Sequence, residues 1–165
     1  MITTDQIIDG ILGREGEGQP PYLQPDDAGG RTSWGVAERS HPEAWHPGPP
    51  TREQARVIYF EQYVKPFDLI TDDALRVALI DDGVLSGVQT AIKRLQHVLG
   101  VAINGVLGVQ TLSALAWGHP TALLQRYVVE RTIRLARQVQ HDPEHKLIDL
   151  VGWVTRSLSF LPEIQ

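Results

Sequence analysis

Cysteine is absent from the 165 residues, which excludes a disulfide framework and any thiolate metal or redox centre. No apolar run approaches the ~18 residues that span a bilayer as a helix, so stable membrane insertion is not expected. Basic residues are the minority. Fifteen Lys and Arg against twenty Asp and Glu leave a formal net charge of −5, which argues against broad attraction to nucleic acid. The stretch Met1–Gly10 carries acids on an amphipathic pattern, without the basic, apolar, small-residue order of a signal peptide, so none is expected. A Walker loop, a nucleophile elbow and a basic-aromatic stripe are also missing.

What is present reads as helix. A chain of this length buries roughly two-thirds of its unfolded surface and needs no staples. Thr3 and Gln6 have capping-box spacing ahead of an apolar stripe of Ile7, Ile8, Ile11 and Leu12. Glu15 falls one turn beyond Ile11 on that face, and Gly16 and Gly18 then stop the helix. From Gly16 to Pro50 the periodicity breaks into a Gly- and Pro-rich stretch, with a turn at Gly29-Gly30 and a short strand expected at Trp34-Gly35-Val36. Thr51 and Gln54 repeat the capping-box spacing before a helix carrying Ala55, Ile58, Tyr59 and Gln62. An apolar helix from Ala74 to Ile80 follows Thr71 and ends at Asp81-Asp82-Gly83. Ser86 with Gln89 opens the next, along Val88, Ala91, Ile92, Leu95, Val98 and Leu99, and Gly100 closes it. Further helical patterns cover Gln110–Trp117, Pro120–Gln138 and His145–Leu158. The expected class is all-α with at most one small β-hairpin.

Chemistry concentrates in Arg14-Glu15-Gly16-Glu17-Gly18 and Asp26-Asp27-Ala28-Gly29-Gly30-Arg31-Thr32-Ser33-Trp34-Gly35. Glycoside hydrolysis takes a proton donor for the leaving oxygen and, in most families, a second carboxylate. The donor must stay protonated near neutral pH, which burial beside apolar groups achieves by destabilising its anion. Glu15, on the apolar side of a helix end, meets that requirement. Asp27 or Asp26 would serve as the second acid, and the paired glycines let the backbone turn Thr32 toward the same cleft. The plainer reading is that acids in glycine-rich loops are solvated turn residues, and spacing alone favours it.

Residue order shifts the balance. A glutamate ending an N-terminal helix, followed by Asp-x-Gly-Gly-x-Thr-x-aromatic-Gly-aliphatic, resembles glycoside hydrolase family 108, the phage and bacterial N-acetylmuramidases. The resemblance runs through nearly the whole chain. Ala55–Tyr63 looks like the family's helix after the loop. Leu79-Ile80-Asp81 with Gly87, Ala91 and Leu95-Gln96 looks like the start of its C-terminal peptidoglycan-binding region. Asn104-Gly105-Val106-Leu107-Gly108 with Thr111-Leu112, and later Gly152-Trp153 with Arg156, resemble signatures of that region.

The resemblance implies one compact lysozyme-like domain of two lobes, a catalytic lobe over 1–80 and a helical peptidoglycan-binding lobe over 81–165. It also implies cleavage of the β-1,4 bond between N-acetylmuramic acid and N-acetylglucosamine. Glu15 would be the general acid, with Asp27 and Thr32 in the same cleft. The segment before Asp27 is longer than the family pattern, and Glu17 stands at phage-lysozyme spacing from Asp26, so Glu17 remains the alternative acid. Tyr22, Trp34, Asp26, Tyr63 and Asp81 are the expected substrate-binding residues. No cofactor or metal is implied. The expected setting is a monomeric phage or prophage endolysin, or a wall-remodelling enzyme. It would be made in the host cytoplasm and pass through a holin to the periplasmic wall. A lytic transglycosylase on the same bond and an inactive wall-binding module are the rival readings.

Other residues have plainer assignments. Asp81 and Asp82 at a helix end, where the macrodipole disfavours anions, call for an arginine or backbone donors if they are structural. Trp34 serves a sugar cleft and a core equally well, whereas Trp45, Trp117 and Trp153 are expected in the core. His141 and His145 are four apart, but Pro143 interrupts the helix and no third ligand is apparent, which weighs against a zinc site.

Overall fold

The structure is a computed structural model that describes residues 3–14, 22–23, 30–141 and 143–161. The chain divides into two compact units, Met1–Pro66 and Phe67–Gln165. A helix, Asp73–Ser86, runs unbroken through residue 80. Among the described residues, no helix is long and apolar enough to cross a membrane.

In the first unit, α1 (Thr4–Arg14) begins on the expected capping box. The Gln6 N–H donates to Thr3 Oγ1 at 3.2 Å, and the Thr3 N–H donates to Gln6 Oε1 at 2.9 Å. Its Ile7, Ile8, Ile11 and Leu12 are all buried. Helix α2 (Arg52–Tyr59) repeats the box with Thr51 and Gln54. Arg52 and Arg56 of α2 both reach the Asp9 carboxylate, and Arg56 also reaches Asp5, so the polar faces of the two helices are clamped. The expected helix to Tyr63 changes character on the way, into a π turn over Phe60–Val64 and then a 3-10 turn over Lys65–Phe67. Pro66 is the physical reason: it has no N–H to donate, and its ring would collide with the carbonyl four residues back.

Between these helices lies a three-stranded antiparallel sheet of β1 (Tyr22–Leu23), β2 (Arg31–Ser33) and β3 (Val36–Ala37), in that order. The class is all-α with this one small β element. Trp34-Gly35-Val36 is not itself a strand. Trp34 and Gly35 form the two-residue turn between β2 and β3, with φ of 53° and 75°. Two positive φ values in succession mark the primed turn whose twist matches a tight hairpin.

The second unit is helical. Its α3 (Asp73–Ser86) is capped by Asp72, whose carboxylate accepts from the Leu75 N–H at 2.8 Å, so Asp72 rather than Thr71 starts it. The helix continues through Asp81-Asp82-Gly83, where a stop is expected from the sequence. Gly83 has a packing role: a Cβ there would meet Phe67 at 3.3 Å and Val88 at 3.4 Å. Gly87, at φ 88°, ends α3 and opens α4 (Val88–Leu99) with its backbone alone, displacing the expected Ser86 cap. Gly100 closes α4 in the left-handed conformation. Then come α5 (Val109–Trp117), α6 (Pro120–His141) and α7 (Pro143–Leu158), the last two beginning at prolines whose fixed φ suits a first helical turn. Trp117 departs from its expected core position. It is the last residue of α5 and is 91% exposed, whereas Trp45 is buried.

The second unit's core is apolar around an ionic centre. Asp81 and Asp82 are 1% and 0% exposed. Arg131 donates to Asp81 Oδ2 at 2.8 Å, and Arg156 grips both Asp81 oxygens at 2.9–3.0 Å. Asp82 Oδ2 accepts from Arg94 and from the Tyr127 hydroxyl, while Asp82 Oδ1 faces Arg131 Nε at 3.7 Å. Burial, and then the neighbouring Asp82 charge, push the Tyr127 hydroxyl well above its ordinary pKa, so it stays a proton donor. Burial opposes the Arg94 charge, but Asp82 outweighs it and holds the guanidinium protonated.

Asp82→Ala would leave Arg94 and part of Arg131 buried without a counter-charge, at a cost of about 3–5 kcal/mol. Tyr127→Phe removes one hydrogen bond to an anion and costs about 1.5–3 kcal/mol. Urea unfolding of both variants checks the order, and equal midpoints would contradict it.

Candidate active site

Helix α1 delivers the chain to Arg14 with its apolar face buried. Glu15 is the next residue in sequence. Glu15, Glu17, Asp26 and Asp27 lie outside the described residues, so the described part of the expected site is the sheet and the helix that follows it. Thr32 sits in the middle of β2, paired with Tyr22 of β1 on one side and Ala37 of β3 on the other. Alternation along β2 puts Thr32 on the face opposite to Arg31 and Ser33. Ser33 and its cross-strand partner Val36 are buried, while Thr32 is half-buried. Trp34, at the apex of the turn, is half-exposed.

The hairpin is braced on its other face. Arg31 and Glu38 are the next cross-strand pair beyond the ladder: the Glu38 N–H donates to the Arg31 carbonyl at 2.8 Å. Their side chains form a fork, with Nε to Oε2 at 2.8 Å and Nη2 to Oε1 at 2.6 Å. The same guanidinium lies 4.9 Å over the ring of Trp45, whose indole N–H donates to the Val36 carbonyl at 3.2 Å. One arginine therefore ties β2 to the chain leaving β3 and to the buried tryptophan behind it. The sequence reading missed this brace. Its signal was present, because a two-residue turn at Trp34-Gly35 makes positions 31 and 38 face each other.

Tyr63 lies in the π turn, half-buried, with its ring 5.6 Å from that of Tyr59. Asp81 lies on α3 of the second unit. Buried and held by two arginines, it is a structural anion of the second unit and has no exposed face for a sugar. The loop that resembles a wall-binding signature is also explained by internal bonding. Gln96, fully buried, accepts from the Asn104 and Gly105 N–H groups at 2.9 Å through Oε1. Its amide nitrogen reaches Asn104 Oδ1, the Val106 carbonyl and Thr111 Oγ1 within 3.0 Å. Among the described residues no three His, Asp or Glu side chains gather as metal ligands.

The Arg31 hydrogen bond lowers the pKa of Glu38. The fork therefore adds stability above the ordinary glutamate range and loses it as pH falls through the lowered value. In a carbon-detected NMR titration Glu38 should titrate below ordinary glutamates and return to their range in Arg31→Gln. An unmoved titration would show that the fork does not hold in solution.

Residues 8–87 match the family profile described as Glycosyl hydrolase 108, a segment ending at the α3–α4 junction. Among solved structures, SagA of Brucella abortus superposes with a TM-score of 0.72 at 22% identity, covering 97% of this chain and 96% of that one. At that identity the likeness shows a shared fold. No curated protein sequence matches the chain. Residues 8–87 thus carry the pattern of glycosyl hydrolase family 108, and this match supports a glycoside hydrolase of the peptidoglycan-cleaving, muramidase type.

Proposed function

We propose that the chain hydrolyses the β-1,4 bond between N-acetylmuramic acid and N-acetylglucosamine, with Glu15 as general acid. The observation that carries this reading is the family match over residues 8–87, a segment that contains Glu15, Asp26, Asp27 and Thr32. Glu15 gives its proton to the leaving oxygen as the glycosidic C–O bond breaks. Water adds to the anomeric carbon and loses a proton to Asp27 or Asp26. Thr32, half-buried in the middle strand, orients the water or the sugar. Trp34, Tyr22 and Tyr63 supply aromatic surface for the glycan. The region after residue 80 grips the wall polymer. In its biological setting the protein is a monomeric phage or prophage endolysin admitted to the wall by a holin, or a wall-remodelling enzyme.

Turbidity clearing of permeabilised cells measures the activity. Glu15→Gln should slow clearing by ~10²–10⁴, the worth of a positioned general acid, with its circular dichroism unchanged. Glu17→Gln should leave the rate intact. An active Glu15→Gln with an inactive Glu17→Gln would transfer the role to Glu17. Mass spectrometry of the digested wall should show reducing ends that have gained water. Anhydro ends throughout would replace hydrolysis with intramolecular transglycosylation.

A further inference from the structure

Charge is unevenly spread over the second unit. The chain carries a net −5, yet a cavity of about 270 Å³ beside α4 is lined by Lys93, Arg94, His97 and Arg134, with Thr90 and Ile103 completing its wall. Its carboxylates are turned elsewhere. Asp82 meets Arg94 from inside the core, and Glu130, which does not line this cavity, meets Arg134 Nε at 2.6 Å and His97 Nε2 at 3.8 Å. Among the described residues, Lys93, Arg94 and Arg134 thus border a space that no acidic side chain lines.

The cations are positioned by the fold. Arg94 is buried, so its guanidinium is fixed by Asp82 at the edge of the cavity. Lys93 rises from an exposed position of α4, and its alkyl stem lies across Gly105. A Cβ on Gly105 would stand 3.1 Å from Lys93 Cε and 3.5 Å from Cγ, and Gly105 has φ +77°. Gly105 is itself pinned by Gln96. The loop therefore presents a bare backbone surface along which the lysine stem runs, which restricts the ammonium and lowers the ordering cost of binding. Ile103, 53% exposed, gives the cavity one apolar wall beside the Thr90 hydroxyl.

We propose that this cavity is a binding site for an oxyanion, a carboxylate or phosphate group, carried by an extended ligand. Lys93 and Arg134 make the ionic contacts, Arg94, paired with Asp82, forms the buried wall, and Ile103 packs on the adjoining alkyl group. That the anion belongs to the bacterial wall rests on the proposed function; the binding itself does not. Two wall components offer this chemistry, the C-terminal carboxylate of a stem peptide and the phosphate of a polyol phosphate chain.

The test is an amide NMR titration of the full-length protein at constant ionic strength. One arm uses N-acetyl-D-alanyl-D-alanine and the other glycerol phosphate. Either probe should move the Thr90, Lys93 and Ile103 amides together, and the arm that saturates first identifies the source. Lys93→Glu and Arg134→Glu should each weaken binding by about tenfold or more, as expected for loss of a charged hydrogen bond. Lys93→Arg should restore it, and Glu15→Gln should bind as the parent does. Absence of shifts with both probes, or affinity unchanged in Lys93→Glu, would overturn the site. Loss of lysis with intact binding would instead count against the muramidase reading alone.

Discussion

The buried pair Asp81 and Asp82 is the constraint around which the second unit is arranged. Two adjacent carboxylates on a helix point to different sides, so each needs its own donors. Arg94 comes from α4, Tyr127 and Arg131 from α6 and Arg156 from α7, so a single turn of α3 makes ionic contact with three other helices. Apolar packing alone would tolerate small slides of these helices past one another. The ionic centre does not, because each carboxylate left without its donors costs several kcal/mol in a medium of low polarity. Among the described residues the cluster carries three cations against two anions, and Arg131 has hydrogen-bonding nitrogens left without an acceptor. The ring of Phe160, 5.6 Å from that guanidinium, gives partial compensation.

The first unit is held by different means, all of them short-range. An 11-residue helix such as α1 is marginal by itself. It is kept by its capping box, by four buried aliphatic side chains and by the two arginines that α2 directs at Asp5 and Asp9. The sheet, with strands of two or three residues, is equally small. Its rigidity comes from the Trp34-Gly35 turn and from the fork of Arg31 on Glu38 over Trp45, not from the length of the ladder.

Legibility from sequence followed the range of the interactions. Both capping boxes, the apolar faces of α1 and α4 and the Gly100 stop depend on residues within a few positions of each other, and all were readable. The family pattern over residues 8–87 was readable for the same reason, since its residues are close in order. The ionic centre was not readable. Asp81 and Asp82 next to a glycine look like a helix end until arginines 12, 50 and 75 positions away are seen to arrive. Gly83 was misread with them, since its small size serves Phe67 and Val88. Trp117 was misplaced because an aromatic residue at helical spacing signals a face without saying whether a neighbour covers it.

These two modes of stabilisation bear differently on catalysis. A general acid gains from a fixed helix end only if the helix cannot rotate, and α1 is restrained on both faces, apolar on one and ionic on the other. Thr32 gains similarly from the middle position of its sheet, where strands on both sides set its backbone. Asp81 illustrates the contrary case. Its carboxylate receives charged donors and sits at a point of the family pattern, and burial behind two arginines satisfies it within the fold. Exposure, more than charge or order, separates a group that acts on substrate from one that holds the fold. By that criterion Lys93, on an exposed face and laid along a glycine, has the better claim to a ligand.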